Sequence, residues 1–196
     1  MPAGVTEEKA ALRQQFVRQP RPDWEPMLQA FLALPELARA STVMLFYGVK
    51  QEPDTRGLIE ELLRRGKTVA LPVCLPGRKM EARIVRSPDD LKPGAYGIPE
   101  PDEDCPVVER GKIDLILVPN VCCDRYGYRL GHGAGYYDRY LAGYSGVTAA
   151  LCPEQWLQEE LPRDEFDLPV RLVLTERTTW RGAETPRRVP DETAGC

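Results

Sequence analysis

The chain has 196 residues, 42% hydrophobic and 29% charged, with a formal net charge of −4. Those proportions suit one soluble globular domain of generous size and exclude a general nucleic-acid binder, which is ordinarily basic. No apolar run approaches a bilayer span and residues 1–18 carry no signal-peptide pattern, so a cytoplasmic protein with no membrane attachment is expected.

The first element, "TEEKAALRQQFVR" at 6–18, reads as a helix with Ala11, Leu12 and Phe16 on its apolar side. Lys9 and Arg13 are four apart and share a face. "QPRPDWEP" breaks this helix, and Asp23 is expected to cap a second over 24–34, with Pro26 tolerated in its first turn. "STVMLFY" at 41–47 is a continuous apolar run, the pattern of a strand buried on both faces. Leu58, Ile59, Leu62 and Leu63 then recur at helical spacing, Gly66 ends that helix, and "TVALP" returns as a strand, completing a β-α-β unit. "EARIVR" is a short strand candidate, and the acidic "PGAYGIPEPDEDCP" reads as a long loop. "DLILVP" is a second buried strand, followed by the glycine segment "RLGHGAGYYDRYL", whose end can continue as a helix. "VTAALCP" and "VRLVLTE" are two further strands with "EQWLQEEL" between them.

These alternations give a single α/β domain over 1–180: a three-layer α/β/α arrangement with five or six largely parallel strands and helices on both faces. Residues 181–196 lack hydrophobic periodicity and are expected to form a loose tail. Ligands of such sheets bind beyond the carboxyl ends of the strands, which points to 48–55 and 120–139.

Six cysteines and one histidine, His132, form no paired zinc-ligand spacing, and Cys74, Cys122, Cys123 and Cys152, in or beside apolar runs, are read as buried small hydrophobes. Gly131, Gly133 and Gly135 form either an anion-cradling loop or a plain turn. The segment matches neither the Walker loop, which needs Gly-Lys-Ser/Thr, nor the dinucleotide fingerprint, which needs glycine where Tyr136 stands. Glu52, held extended by Pro53, is either a solvated acid or an acceptor for ring N–H donors. Asp138 and Asp167 are either a first-turn and a loop acid or hard oxygen ligands for Mg²⁺.

The segment "DLILVPNVCCDRYGYRLGHGAGYYDRYL" resembles the signature of the 5-formyltetrahydrofolate cyclo-ligases, also called 5,10-methenyltetrahydrofolate synthetases. "KAALR", "QEPDT", "YGIPEP" and "LPRDEFDLPVRLVLTE" support the resemblance in the same order along the chain. It implies an ATP- and Mg²⁺-dependent ligase that turns 5-formyltetrahydrofolate into 5,10-methenyltetrahydrofolate, ADP and phosphate. By the same resemblance, ATP contacts fall on Lys9, Arg13, Arg129, Leu130, Gly131, His132, Gly133, Ala134, Gly135, Tyr136 and Tyr137. Substrate contacts fall on Tyr47, Glu52 and His132 through Tyr136. Arg129 and Tyr136 are the implied catalytic residues, and Asp138 and Asp167 the implied Mg²⁺ ligands. Ala134, Asn120 and Cys123 depart from the family pattern, which leaves open a folate- or nucleotide-binding protein with reduced or lost turnover, or another ATP-dependent kinase or ligase on this fold. Its partners are expected to be small molecules, with the chain a monomer or weak homo-oligomer.

Overall fold

The computed structural model describes residues 3–182. Helix α1 (Ala3–Val17) starts three residues earlier than its sequence pattern, and its inward face differs from the expected one. Ala11 is exposed. The stripe turned toward the protein is Val5, Lys9, Leu12, Arg13 and Phe16, which mixes two cations with apolar groups at helical spacing. Phe16 packs on Trp156 at 5.5 Å between ring centroids, and Trp24 meets the same indole edge-on at 5.9 Å.

The single helix expected over 24–34 is two: α2 (Glu25–Leu32) and α3 (Pro35–Arg39). Leu34 is extended because Pro35 disfavours helical backbone in the residue before it, and Pro35 then opens α3. Asp23 lies one residue before the N-cap, Trp24, and accepts the Glu25 N–H at 3.1 Å.

Strand β1 (Thr42–Met44) leads to α4 (Arg56–Arg64), which buries Leu58, Ile59 and Leu62. Gly66, at φ +74°, ends α4 as expected: Lys67 N–H reaches Leu62 O and Gly66 N–H reaches Leu63 O, the paired bonds of a Schellman cap. Then come β2 (Thr68–Leu75) and β3 (Lys79–Val85). The segment read as a loop, 93–106, supplies the turn and the second strand of a hairpin of β4 (Leu91–Pro93) and β5 (Pro99–Pro101), and is followed by β6 (Val107–Val108). The rest is β7 (Leu115–Leu117), a hairpin of β8 (Cys122–Cys123) and β9 (Arg129–Leu130), α5 (Tyr136–Leu141), β10 (Val147–Leu151), β11 (Leu172–Leu174) and β12 (Thr179–Arg181).

The main sheet has eight strands in the order β12-β11-β10-β7-β1-β2-β3-β6, more than the five or six expected. The five central strands are parallel; β3, β6 and β12 join by antiparallel pairing at the edges. Arg181 therefore pairs with Leu172 rather than opening a tail, and 183–196 lie outside the described residues. Every side chain of β7 is fully buried, as its unbroken apolar run requires. The chain leaves β1 toward β2 on one side and β7 toward β10 on the other. The boundary between β1 and β7 is thus a topological switch point, the place beyond whose strand ends open α/β sheets bind their ligands.

Cys122, Cys123 and Cys152 are completely buried, and burial pushes the Cys122 and Cys123 thiols well up from their usual range. Iodoacetamide at neutral pH is expected to leave these three unlabelled in the native protein and to label them once it is denatured, read by peptide mass spectrometry. Native labelling at any of the three would contradict their packing.

Candidate active site

The glycine segment does not follow β7 directly. The β8–β9 hairpin intervenes, and the buried Asp124 shapes it. One Asp124 oxygen accepts the Tyr126 and Tyr128 N–H groups at 2.9 Å, and the other accepts Leu161 N–H at 3.1 Å. The loop emerging from β9 has Gly133 at φ +101° and Gly135 at φ +69°, backbone that side chains rarely adopt. Gly131 has neither a positive φ nor a neighbour that a Cβ would strike. Ala134 lies outside the left-handed region, so its methyl group causes no backbone strain.

Two guanidinium groups hold the loop by its carbonyls. Arg13 Nε donates to Gly131 O at 2.7 Å, and Arg139 Nη1 donates to Ala134 O and Gly135 O at 3.0 and 2.9 Å. Among the described residues, the N–H groups of His132, Gly133, Ala134 and Gly135 donate to no protein acceptor. Consecutive free N–H groups flanked by fixed cations form a concavity suited to an anion.

Behind the loop, Arg129 is almost wholly buried, and its Nη2 donates to Asp138 Oδ1 at 2.9 Å. Its Nε has no partner, nor has the nearby buried Tyr137 hydroxyl, whose ionisation burial suppresses. An orphaned buried donor costs about 1–3 kcal/mol, so two beside an anion-ready loop mark a place where a ligand completes the bonding. Leu130, by contrast, turns its side chain into the core, which leaves only its backbone for a nucleotide.

Lys9 does not project freely. Its ammonium donates to Asp164 Oδ2 at 3.0 Å and to Asp167 Oδ2. Burial disfavours the Lys9 charge, but the two carboxylates outweigh it and raise its pKa. Burial likewise opposes ionisation of Asp164, yet the Lys9 and Phe166 hydrogen bonds hold its carboxyl below the ordinary range. The fold also brings Asp138 beside this acid segment, where its Oδ1 accepts Leu168 N–H at 3.4 Å.

Glu52 lies in the loop that follows β1. Its Oε2 accepts Val49 N–H at 3.0 Å, and its Oε1 is 2.9 Å from Nε2 of the exposed His132. Glu52 and the glycine loop, 80 residues apart in sequence, therefore face each other. Tyr136 reaches Tyr96 at 3.4 Å between hydroxyls, a bond that, with burial, pushes the Tyr136 phenol up to about 12. At neutral pH Tyr136 is thus a hydrogen-bond donor rather than a base. Tyr47 stands on the wall of a cavity of about 340 Å³.

Sequence reasoning assigned no role to Asp164 or Tyr96, and it read Cys74 as a buried small hydrophobe, whereas the residue is only half-buried. Tyr96 and Asp164 lie within the quoted "YGIPEP" and "LPRDEFDLP", so their signal was present without a role attached. Cys74 approaches Tyr136 from β2, its thiol pushed up to about 11 by burial and Glu100. Nothing local in its sequence announces that approach.

For Mg²⁺, the donor set fits. Asp138 Oδ2 and Asp167 Oδ1 have no protein partner among the described residues, and Mg²⁺ commonly takes one or two carboxylates beside waters and phosphate oxygens. Lys9 shares the Asp167 carboxylate. No helix among the described residues is long and apolar enough to cross a membrane.

Comparison with known proteins gives a consistent result. The 5-formyltetrahydrofolate cyclo-ligase family profile matches residues 6–176. The chain is 34% identical over 155 residues to the 5-formyltetrahydrofolate cyclo-ligase of Escherichia coli K12, covering 76% of this chain and 85% of the relative. It is 36% identical over 165 residues to a probable 5-formyltetrahydrofolate cyclo-ligase of Schizosaccharomyces pombe, covering 76% and 81%. The solved structure of Aquifex aeolicus 5,10-methenyltetrahydrofolate synthetase superposes with a TM-score of 0.80 at 30% identity, covering 97% of this chain and 99% of that one.

Proposed function

The chain belongs to the 5-formyltetrahydrofolate cyclo-ligase family of enzymes, and we propose that it converts 5-formyltetrahydrofolate to 5,10-methenyltetrahydrofolate with consumption of ATP in the presence of Mg²⁺. The observation that carries the nucleotide assignment is the run of four free N–H groups at 132–135, with its carbonyls held by Arg13 and Arg139. It supports a phosphate-binding role for the loop.

The chemistry asks little covalent work of the protein. The N5-formyl oxygen is a weak amide nucleophile that must be held in line with the γ-phosphorus while charge on the transferred group is neutralised. That oxygen forms a bond to phosphorus as the bond to the ADP oxygen breaks. The N10 lone pair then attacks the formyl carbon, N10 gives up its proton, the carbon–oxygen bond breaks, and the phosphate leaves with the former formyl oxygen and takes up that proton. The loop N–H groups and the Arg129 Nε are the donors for the phosphate oxygens. Arg13 and Lys9 bring positive charge from α1. Asp138 and Asp167 would hold Mg²⁺, which supplies charge neutralisation at the phosphates when bound. Glu52 would accept pterin N–H donors in place of His132, with Tyr136 against the ring. Ala134 lies outside the left-handed region and Cys123 is packed in the core, while Asn120 Nδ2 donates to Leu151 O at 3.0 Å and its Oδ1 is buried without a partner. We read the enzyme as cytoplasmic, and as a monomer or weak homo-oligomer; its free thiols suit a reducing compartment.

The test is methenyltetrahydrofolate absorbance with 5-formyltetrahydrofolate, ATP and Mg²⁺. ATP-dependent product is expected, and its absence at high enzyme concentration would sink the proposal. Arg13→Ala is expected to weaken ATP binding roughly tenfold while changing folate affinity less than twofold, by calorimetric titration. Unchanged nucleotide affinity would remove Arg13 from the site.

A further inference from the structure

Helix α1 serves both halves of the site. Through Arg13 Nε it holds the glycine loop at Gly131 O, 2.7 Å away. Beyond Val17 the chain becomes an irregular segment, 18–24, that runs to α2. Three bonds join this segment to the loop carrying Glu52. Trp24 Nε1 donates to Gln51 O at 2.9 Å, Arg21 Nη2 donates to Glu52 O at 3.2 Å, and Gln51 Nε2 donates to Gln19 O at 3.1 Å. None of them occupies the Glu52 carboxylate. They fix the backbone that carries it and leave its Oε1 to His132.

The segment has an anchor of its own. Gln19 N–H returns to Phe16 O at 3.1 Å, and Phe16 and Trp24, both buried, pack on the Trp156 indole. Pro20 and Pro22 restrict the backbone between those two points. Contacts therefore run from Glu52 to His132, along the loop to Gly131, through Arg13 to α1, and back through Gln19 and Trp24 to Gln51. In that ring α1 is bonded to the loop with the free N–H groups and continuous with the segment that grips the acid, so it sets their separation.

We infer that residues 19–24 form a strap that sets the position of Glu52, with Trp24 and Gln51 as positioning residues for substrate binding. The inference rests on the proposed contact between Glu52 and the folate ring. Hydrogen bonds weaken steeply with misalignment, so loosening of the loop backbone is felt at the carboxylate. Trp24 and Gln51 make no contact with either ligand in this reading and act through Glu52.

The test is a double-mutant cycle, read by calorimetric titration of the full chain with 5-formyltetrahydrofolate in the absence of ATP. Trp24→Phe keeps an aromatic ring against Trp156 and removes the N–H. It is expected to weaken folate binding roughly fivefold and ATP binding, titrated separately, by less than about twofold. Gln51→Met keeps the side-chain length, loses the donor, and should act in the same direction; the same cycle run with it decides the matter where Trp24→Phe fails to fold. On a Glu52→Gln background the effect of either change should shrink below about twofold, because the carboxylate being positioned is gone. In steady state both single variants should raise KM for folate and leave kcat within about twofold. Unchanged folate affinity in both variants, full additivity with Glu52→Gln, or equal weakening of folate and ATP would overturn the inference and leave the proposed reaction standing. A non-additive cycle in a protein with no ATP-dependent turnover would overturn the reaction and leave the strap. Failure of the unaltered protein to bind 5-formyltetrahydrofolate would overturn both.

Discussion

Replacing Arg129 with alanine is expected to lower kcat/KM by at least a hundredfold and to cost about 2–3 kcal/mol of stability. The two effects have separate causes. Nη2 holds Asp138, which is itself bound to Leu168 N–H, so removing the guanidinium loosens the join between α5 and the acid segment carrying Asp167. The Nε is the orphaned donor behind the glycine loop, and its loss removes a bond that only the ligand completes. Arg129→Lys should restore much of the stability and little of the rate, because an ammonium replaces the charge but not the fork that serves two partners at once. Urea unfolding and steady-state kinetics on the two variants separate these contributions. Activity of Arg129→Ala within tenfold of the unaltered enzyme would show that the orphaned donor does not serve the reaction.

Gly48→Ala is expected to destabilise the protein by about 3 kcal/mol or more and to weaken 5-formyltetrahydrofolate binding by at least tenfold. A Cβ at Gly48 would lie 1.7 Å from the Pro53 carbonyl oxygen, deep inside van der Waals contact. The obstacle is backbone, so no rotamer change relieves it. The turn is also pinned elsewhere: Gly48 N–H donates to Thr55 Oγ1 at 3.0 Å, and the Thr55 hydroxyl donates to Phe46 O. The 48–55 loop must therefore shift as a unit, carrying Glu52 with it. Gly57→Ala is the contrast, because Gly57 is exposed in α4 with nothing within 4 Å of its Cβ position. That change should stabilise by about 0.5–1 kcal/mol. Denaturation midpoints of the pair decide the matter; a neutral Gly48→Ala would show that the turn relaxes freely.

The contrast between Gly48 and Gly131 shows where sequence reading reached its limit. The alternating glycines drew attention because they are visible as a pattern, yet Gly131 has open space around it. Gly48 carries no pattern, but the return of the chain at Pro53 leaves no room for a side chain. The Lys9–Arg13 pair is similar. Its helical spacing is plain in the sequence, but the expected apolar face included Ala11, which is exposed. What turns the cations inward is their partners: Asp164 and Asp167, more than 150 residues away, and the carbonyl of Gly131.

By itself the sequence determined the main α/β alternation, the buried central strands and the position of the glycine loop, because hydrophobic periodicity and turn chemistry are local properties. Its signature segment also placed the chain in its family. Only the tertiary structure decided that the acidic 93–106 segment folds as a hairpin carrying Tyr96 to Tyr136, that Lys9 is clamped by two carboxylates, and that Arg129 retains an unpartnered donor. Each of these depends on which surfaces meet when the layers pack. The free energy of such a meeting belongs to groups far apart in the chain, so no local window of sequence contains it.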